Sequence, residues 1–176
     1  MATTTNETLK SYRDYLESLY NNGSNDFFTN GGKEYATVLM SVLFSHANNS
    51  VKMFCEGLNP EIFNNEELKN IFFAYIDNGG KLEILAESEK YIDSDILSAI
   101  SGKENVSIKI IQESDKKEIF KMLHTERCNF SIFDESMIRL ETDPEHFKAI
   151  GSFNRRDRAL MLTTLFDKAF NNAKVA

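Results

Sequence analysis

Apolar residues recur along the chain with two different periods, and the switches between them outline its elements. From Thr5 to Asn22, Leu9, Tyr12, Leu16, Leu19 and Tyr20 fall at helical spacing, with Thr5 and Thr8 as capping residues, so an N-terminal helix is expected. The stretch Asn21 to Gly32 is rich in Asn and Gly and reads as a loop carrying Phe27 and Phe28. A second stripe of Tyr35, Val38, Leu39, Val42, Leu43 and His46, widened by Met40 and Phe44, predicts a helix from Lys33 to Ala47 buried on more than one side.

The pattern then alternates. Val51 to Glu56 reads as a strand, and Leu68, Ile71, Phe72, Tyr75 and Ile76 mark a helix that stops at Asn78, Gly79 and Gly80. Strand Lys81 to Ala86, a helix from Asp93 to Ile100 begun by Asp93 or Ser94, strand Val106 to Gln112, and a helix capped by Ser114 and running through Leu123 complete the series. Such alternation predicts a parallel core with helices on its faces. Three further strand-like runs, Asn129 to Phe133, Met137 to Glu141 and Phe147 to Phe153, follow as an antiparallel extension, the first two joined by a hairpin at Asp134, Glu135 and Ser136. Ala159, Leu162, Thr163, Phe166, Ala169 and Phe170 mark a closing helix with Asn154 as its expected cap. The division expected is an N-terminal helix and loop over 1–32 and an α/β domain over 33–176.

Composition narrows the function classes. With 176 residues, 41% of them hydrophobic, the chain has room for a real core, and it contains no apolar run of membrane-spanning length. A formal charge of -7 repels nucleic acid and anionic membranes from most of the surface, so neither is a favoured partner. Cys55 and Cys128 lack the close spacing of a redox or zinc site, and MATTTNETLK lacks the basic and apolar regions of a secretory signal. Buried thiols and a cytoplasmic location are expected. The histidines His46, His124 and His146 show no metal-ligand spacing, so neither a metal nor a cofactor is expected.

The stretch from Arg127 to Asp134 (RCNFSIFD) and the later Gly151-Ser152-Phe153-Asn154 carry a resemblance. Together with the order of elements, they resemble one half of the phospholipase D-like fold, whose active members carry HxKxxxxD on the hairpin strand and then GSxN. Asp134 and the GSxN letters match. Arg127 stands where the His would be and Asn129 where the Lys would be, and the gap from Asp134 to Gly151 is longer than in the active pattern. The resemblance covers Lys33 to Ala176 and implies a mixed sheet of parallel βα units followed by an antiparallel hairpin extension.

In that family one His attacks phosphorus and a second protonates the leaving oxygen, while Lys and Asn donate to the phosphoryl oxygens. A guanidinium stays protonated and has no lone pair to offer, so Arg127 can clamp a phosphate but cannot displace one. If the match slips by one position, Cys128 becomes the nucleophile but Phe130 then falls on the clamp. The resemblance therefore implies a catalytically degenerate protein that acts by binding, as a homodimer, through a phosphate-type cleft of Arg127, Asn129, Asp134, Ser152, Asn154 and Arg155. The N-terminal helix is a candidate surface for a protein partner. The alternative is a metal-independent phosphodiesterase or nuclease that recruits His124 or His146. A third reading drops the resemblance and places a ligand at the carboxyl ends of the strands, near Glu56, Ala86 and Glu113.

His146-Phe147-Lys148 repeats the letters HxK but lacks the following Asp, and is read as surface residues flanking an inward Phe147. His124 is read as a helix-end residue, and His46 as hydrogen-bonded in the core. Arg155, Arg156 and Arg158, with Lys148, form the local basic cluster. They either pair with acidic neighbours across a dimer or face an anion.

Overall fold

A computed structural model describes residues 2–88 and 95–176, with the side chains of 2–5 left out of account. Helix α1 (Ala2–Asn21) leads through a three-residue strand β1 (Phe28–Asn30) into α2 (Lys33–His46). Then follow β2 (Ser50–Cys55), α3 (Pro60–Phe63), α4 (Glu66–Asp77), β3 (Lys81–Ala86), α5 (Asp95–Ile100), β4 (Val106–Ile110) and α6 (Glu113–Met122). The chain closes with β5 (Asn129–Phe133), β6 (Met137–Asp143), a 3-10 turn at Pro144–His146, β7 (Lys148–Ser152), α7 (Arg156–Asn172) and β8 (Lys174–Val175). The strands make one sheet in the order β1-β7-β6-β5-β2-β3-β4-β8. β2, β3 and β4 run parallel, and every other pairing is antiparallel.

The expected architecture is present: parallel βα units, then an antiparallel hairpin and a further strand, with helices on both faces. Alternation along the strands builds two cores. On one face Val51, Met53, Leu82, Ile84 and Phe133 pack with Leu16 of α1, with Leu39, Leu43 and Phe44 of α2, and with Phe72 of α4. On the other face Phe54, Leu85, Phe130 and Ile132 pack against Phe166, Ala169 and Phe170 of α7. Helix α2 is buried along most of its length from Ala36 to Phe44, as its widened stripe implies.

The structure corrects several local expectations. Residues Phe28–Asn30, read as loop, form β1 and pair with β7, so segment 1–32 shares both the sheet and the core with the rest of the chain. α3 was not foreseen, although Asn59 accepts from the Glu61 N–H at 2.9 Å and Pro60 opens the first turn, a recognisable start signal. β8 was also missed. Ser114 lies inside α6, whose cap position is Gln112. Asn154 does not cap α7, which begins after Arg155 without a side-chain cap bond; its amide instead donates to the Gly23 carbonyl at 3.1 Å, tying α7 to the end of α1. The expected starters Asp93 and Ser94 lie outside the described residues.

Candidate functional site

A cavity of about 330 Å³ opens between α2 and the sheet, at the carboxyl end of β2. Its floor is set by register. Ser131 of β5 lies between Met53 of β2 and Arg139 of β6, while Asn129 lies opposite Glu141 one row further on. All of these side chains share the α2 face of the sheet because strand residues two apart point the same way. Ala36 and Met40 of α2 form the roof, with Asn59, Ile62 and Phe63 on one side and Pro144, Glu145 and Phe147 on the other.

The polar groups form a connected network. Arg139 and Glu141 are both buried and pair at 2.8 Å, and the second Glu141 oxygen accepts from the Asn129 amide at 2.6 Å. Asn129 in turn accepts from the Glu56 backbone N–H at 3.3 Å. At the mouth, the Arg127 Nε donates to Glu56 at 2.7 Å and a terminal nitrogen reaches Glu145 at 3.2 Å, so one guanidinium joins the loop after β2 to the turn before β7. The bond to Glu56 raises the pKa of Arg127 further, which keeps it charged. Cys55, also on the wall, is a neutral thiol: burial pushes its pKa up to about 12, with Glu141 and Glu87 adding to the effect.

The residues assigned to the cleft from sequence divide between two places. Arg127 and Asn129 line the cavity. Asp134 does not: it sits at the far end of β5, where its carboxylate accepts from the backbone N–H groups of Asn48 (2.6 Å), Asn49 (2.8 Å) and Ser50 (2.9 Å). Asp134 and Glu135 both have positive φ (48° and 63°) in the three-residue loop, 134–136, that joins the paired ends of β5 and β6 at Phe133 and Met137. Ser152 is fully buried at that same end, opposite Ile138. Gly151 is needed there for space, since a Cβ would lie 2.5 Å from the Phe28 ring and 2.9 Å from the Ile138 carbonyl oxygen. The GSFN letters are thus accounted for by packing around β1 and the α1 terminus. Arg155 forms two 2.9 Å bonds with Asp157 in its own chain and lies over the Phe27 ring at 4.6 Å.

None of the three histidines lines the cavity. His124 is exposed at the end of α6 with φ 53°. His146 is exposed and held by Asp143 through Nδ1 at 2.9 Å. His46 bonds Glu17 at 2.7 Å and stacks on Tyr20, joining α1 to α2; it is hydrogen-bonded as expected but half-buried at the helix end rather than in the core. Cys128 faces the other core, and burial pushes its pKa up to about 12 as well. Of the carboxyl-end positions, Glu56 lines the cavity and Ala86 and Glu113 do not.

The polar cavity residues missed from sequence are Asn59, Glu61, Ser131, Arg139, Glu141 and Glu145. The signal was Arg139 and Glu141 two apart in β6 and in phase with the buried Met137, a charged pair on the inward side of the alternation.

This framework is a phospholipase D-like α/β fold. No family model and no curated protein matches the sequence, but solved structures do. Nuc from Salmonella typhimurium, a phospholipase D family member, superposes with a TM-score of 0.59 at 14% identity over 86% of this chain and 99% of that one. NucT from Helicobacter pylori gives 0.62 at 12% over 86% and 100%. TrmBL2, an archaeal chromatin protein with a novel mode of DNA binding, gives 0.62 at 11% over 99% of this chain, which spans 65% of that one. At such identities the likeness is one of fold. Among the described residues no helix is long and apolar enough to cross a membrane.

Proposed function

We propose that this chain is a binding protein built on the phospholipase D-like scaffold, holding a small ligand in the cavity beneath α2 and performing no phosphodiester hydrolysis. The observation that carries the reading is the state of Arg127 and Asn129. The first is a guanidinium held between Glu56 and Glu145; the second is an amide engaged by Glu141. Neither is a nucleophile, and the neighbouring Cys55 is a neutral buried thiol. The preserved Asp134 serves the hairpin and the preserved GSFN serves packing, so these letters give no support to retained catalysis. Pairing as a homodimer belongs to this proposal as what the resemblance implies.

The test is hydrolysis of bis-p-nitrophenyl phosphate and of single-stranded DNA by the full chain in EDTA, with His124→Ala and His146→Ala beside it and solution mass recorded. No turnover from a folded dimer is expected. Metal-independent turnover lost with either histidine would overturn the reading and establish a rearranged phosphodiesterase.

A further inference from the structure

Resting on the binding reading above, we infer that the cavity beneath α2 takes a neutral polyhydroxyl compound, a sugar or cyclitol, and rejects phosphate esters. The charge pattern comes first. Four carboxylates line the space (Glu56, Glu61, Glu141, Glu145) against two guanidiniums (Arg127, Arg139), so an incoming anion meets a net negative wall. Both guanidiniums are already engaged: Arg127 by Glu56 and Glu145, Arg139 by Glu141. Glu61 is engaged by Lys33 at 3.3 Å. A phosphate would have to displace these carboxylates, and an unpaired cation would find them already compensated.

What the cavity leaves open is hydrogen bonding without net charge. Ser131 is 5% exposed, sits in the middle of the floor, and its hydroxyl has no hydrogen-bond partner among the described residues. Buried Arg139 beside it keeps an unpartnered Nε. Buried polar groups without partners are rare and call for one. A ligand hydroxyl both donates and accepts, so it can meet Ser131 and the free lone pairs of the carboxylates without disturbing an ion pair. Met40, Met53 and Phe63 supply the apolar wall that the C–H face of such a molecule needs.

Calorimetric titration of the full chain with D-glucose, D-galactose, D-ribose and myo-inositol, beside inorganic phosphate and bis-p-nitrophenyl phosphate, tests this. At least one neutral compound should bind with a Kd below about 1 mM while neither anion binds. Ser131→Ala should weaken that binding about tenfold with the unfolding temperature unchanged, because the hydroxyl it removes has no protein partner. Ser131→Val, which adds methyl groups to the floor, should abolish it. Binding of an anion in preference, or no binding by any of the four neutral compounds, would overturn the ligand class and leave the binding reading standing. Hydrolysis of the diester in the same cell would instead defeat the reading beneath it.

Discussion

Two residues at opposite ends of the first hairpin strand do different work. Asp134 and Asn129 are separated by the length of β5, and their surroundings differ accordingly. Asp134 gathers three backbone N–H groups at the entry to β2, so it joins the β5–β6 turn to the start of the central strand. Hydrogen bonds to a charged acceptor are among the stronger ones, and the positive φ at this position adds strain for any side chain other than Asn or Asp. Asp134→Ala should therefore lower stability by about 2–4 kcal/mol, and Asp134→Asn, which tolerates that φ and keeps one acceptor oxygen, by about 1 kcal/mol. Denaturant unfolding of the two variants measures both, and equal losses would contradict the role assigned to the turn. Residue types alone announced Asp134 correctly as a matching letter but not its task, because the N–H groups it serves lie more than eighty positions upstream in sequence.

At the level of elements, the strands and helices with long, clean periodicity were legible: β3 has the expected bounds, and α2 and α7 lie where their stripes put them. Elements held by tertiary pairing were not. β1 is three residues long and exists because Phe28, Thr29 and Asn30 pair with Gly151, Ile150 and Ala149, a partnership no local pattern records. Two helices are fastened to strand backbones by phenols, one half-buried (Tyr12) and one buried (Tyr75). Tyr12 of α1 donates to the Thr29 carbonyl at 3.2 Å, and Tyr75 of α4 donates to the Lys81 carbonyl at 2.8 Å. Burial raises both phenols well above the ordinary value of 10.0, opposed at Tyr12 by Arg139 and reinforced at Tyr75 by Asp134. The folded state therefore holds these protons more tightly than the unfolded chain. Their contribution to stability is complete below about pH 10 and is lost as pH rises above it. Absorbance at 295 nm during alkaline titration should show Tyr12 and Tyr75 ionising last and together with loss of helical circular dichroism. Tyr12→Phe and Tyr75→Phe variants should each lose one late phenol from that step. Early, independent ionisation of either would contradict the docking described.

For the molecule as a whole, the order of elements was enough to point to a phospholipase D-like fold, and the mixed sheet and the solved structures it resembles bear out that fold. The candidate site was half legible. Arg127 and Asn129 were found by their place in a pattern, whereas Ser131, Arg139 and Glu141 became visible only when register set three strands side by side. Ser152 and Asn154, which match the pattern by letter, and the adjacent Arg155 go instead to the other end of the hairpin or to local partners. What results is a scaffold with paired charges at the carboxyl end of β2 and a cavity behind them.

The most direct test of that account uses the methionines. Met40 and Met53 line the cavity, while Met122 is exposed on α6 and Met161 packs at the α7 core. Methyl NMR of methionine-labelled protein, titrated with the neutral hydroxyl compounds and with bis-p-nitrophenyl phosphate, should show shifts at Met40 and Met53 with a neutral compound only, and no p-nitrophenol released by the diester. Shifts at Met122 or Met161 in place of these two, or release of p-nitrophenol, would contradict a non-hydrolytic binding site beneath α2.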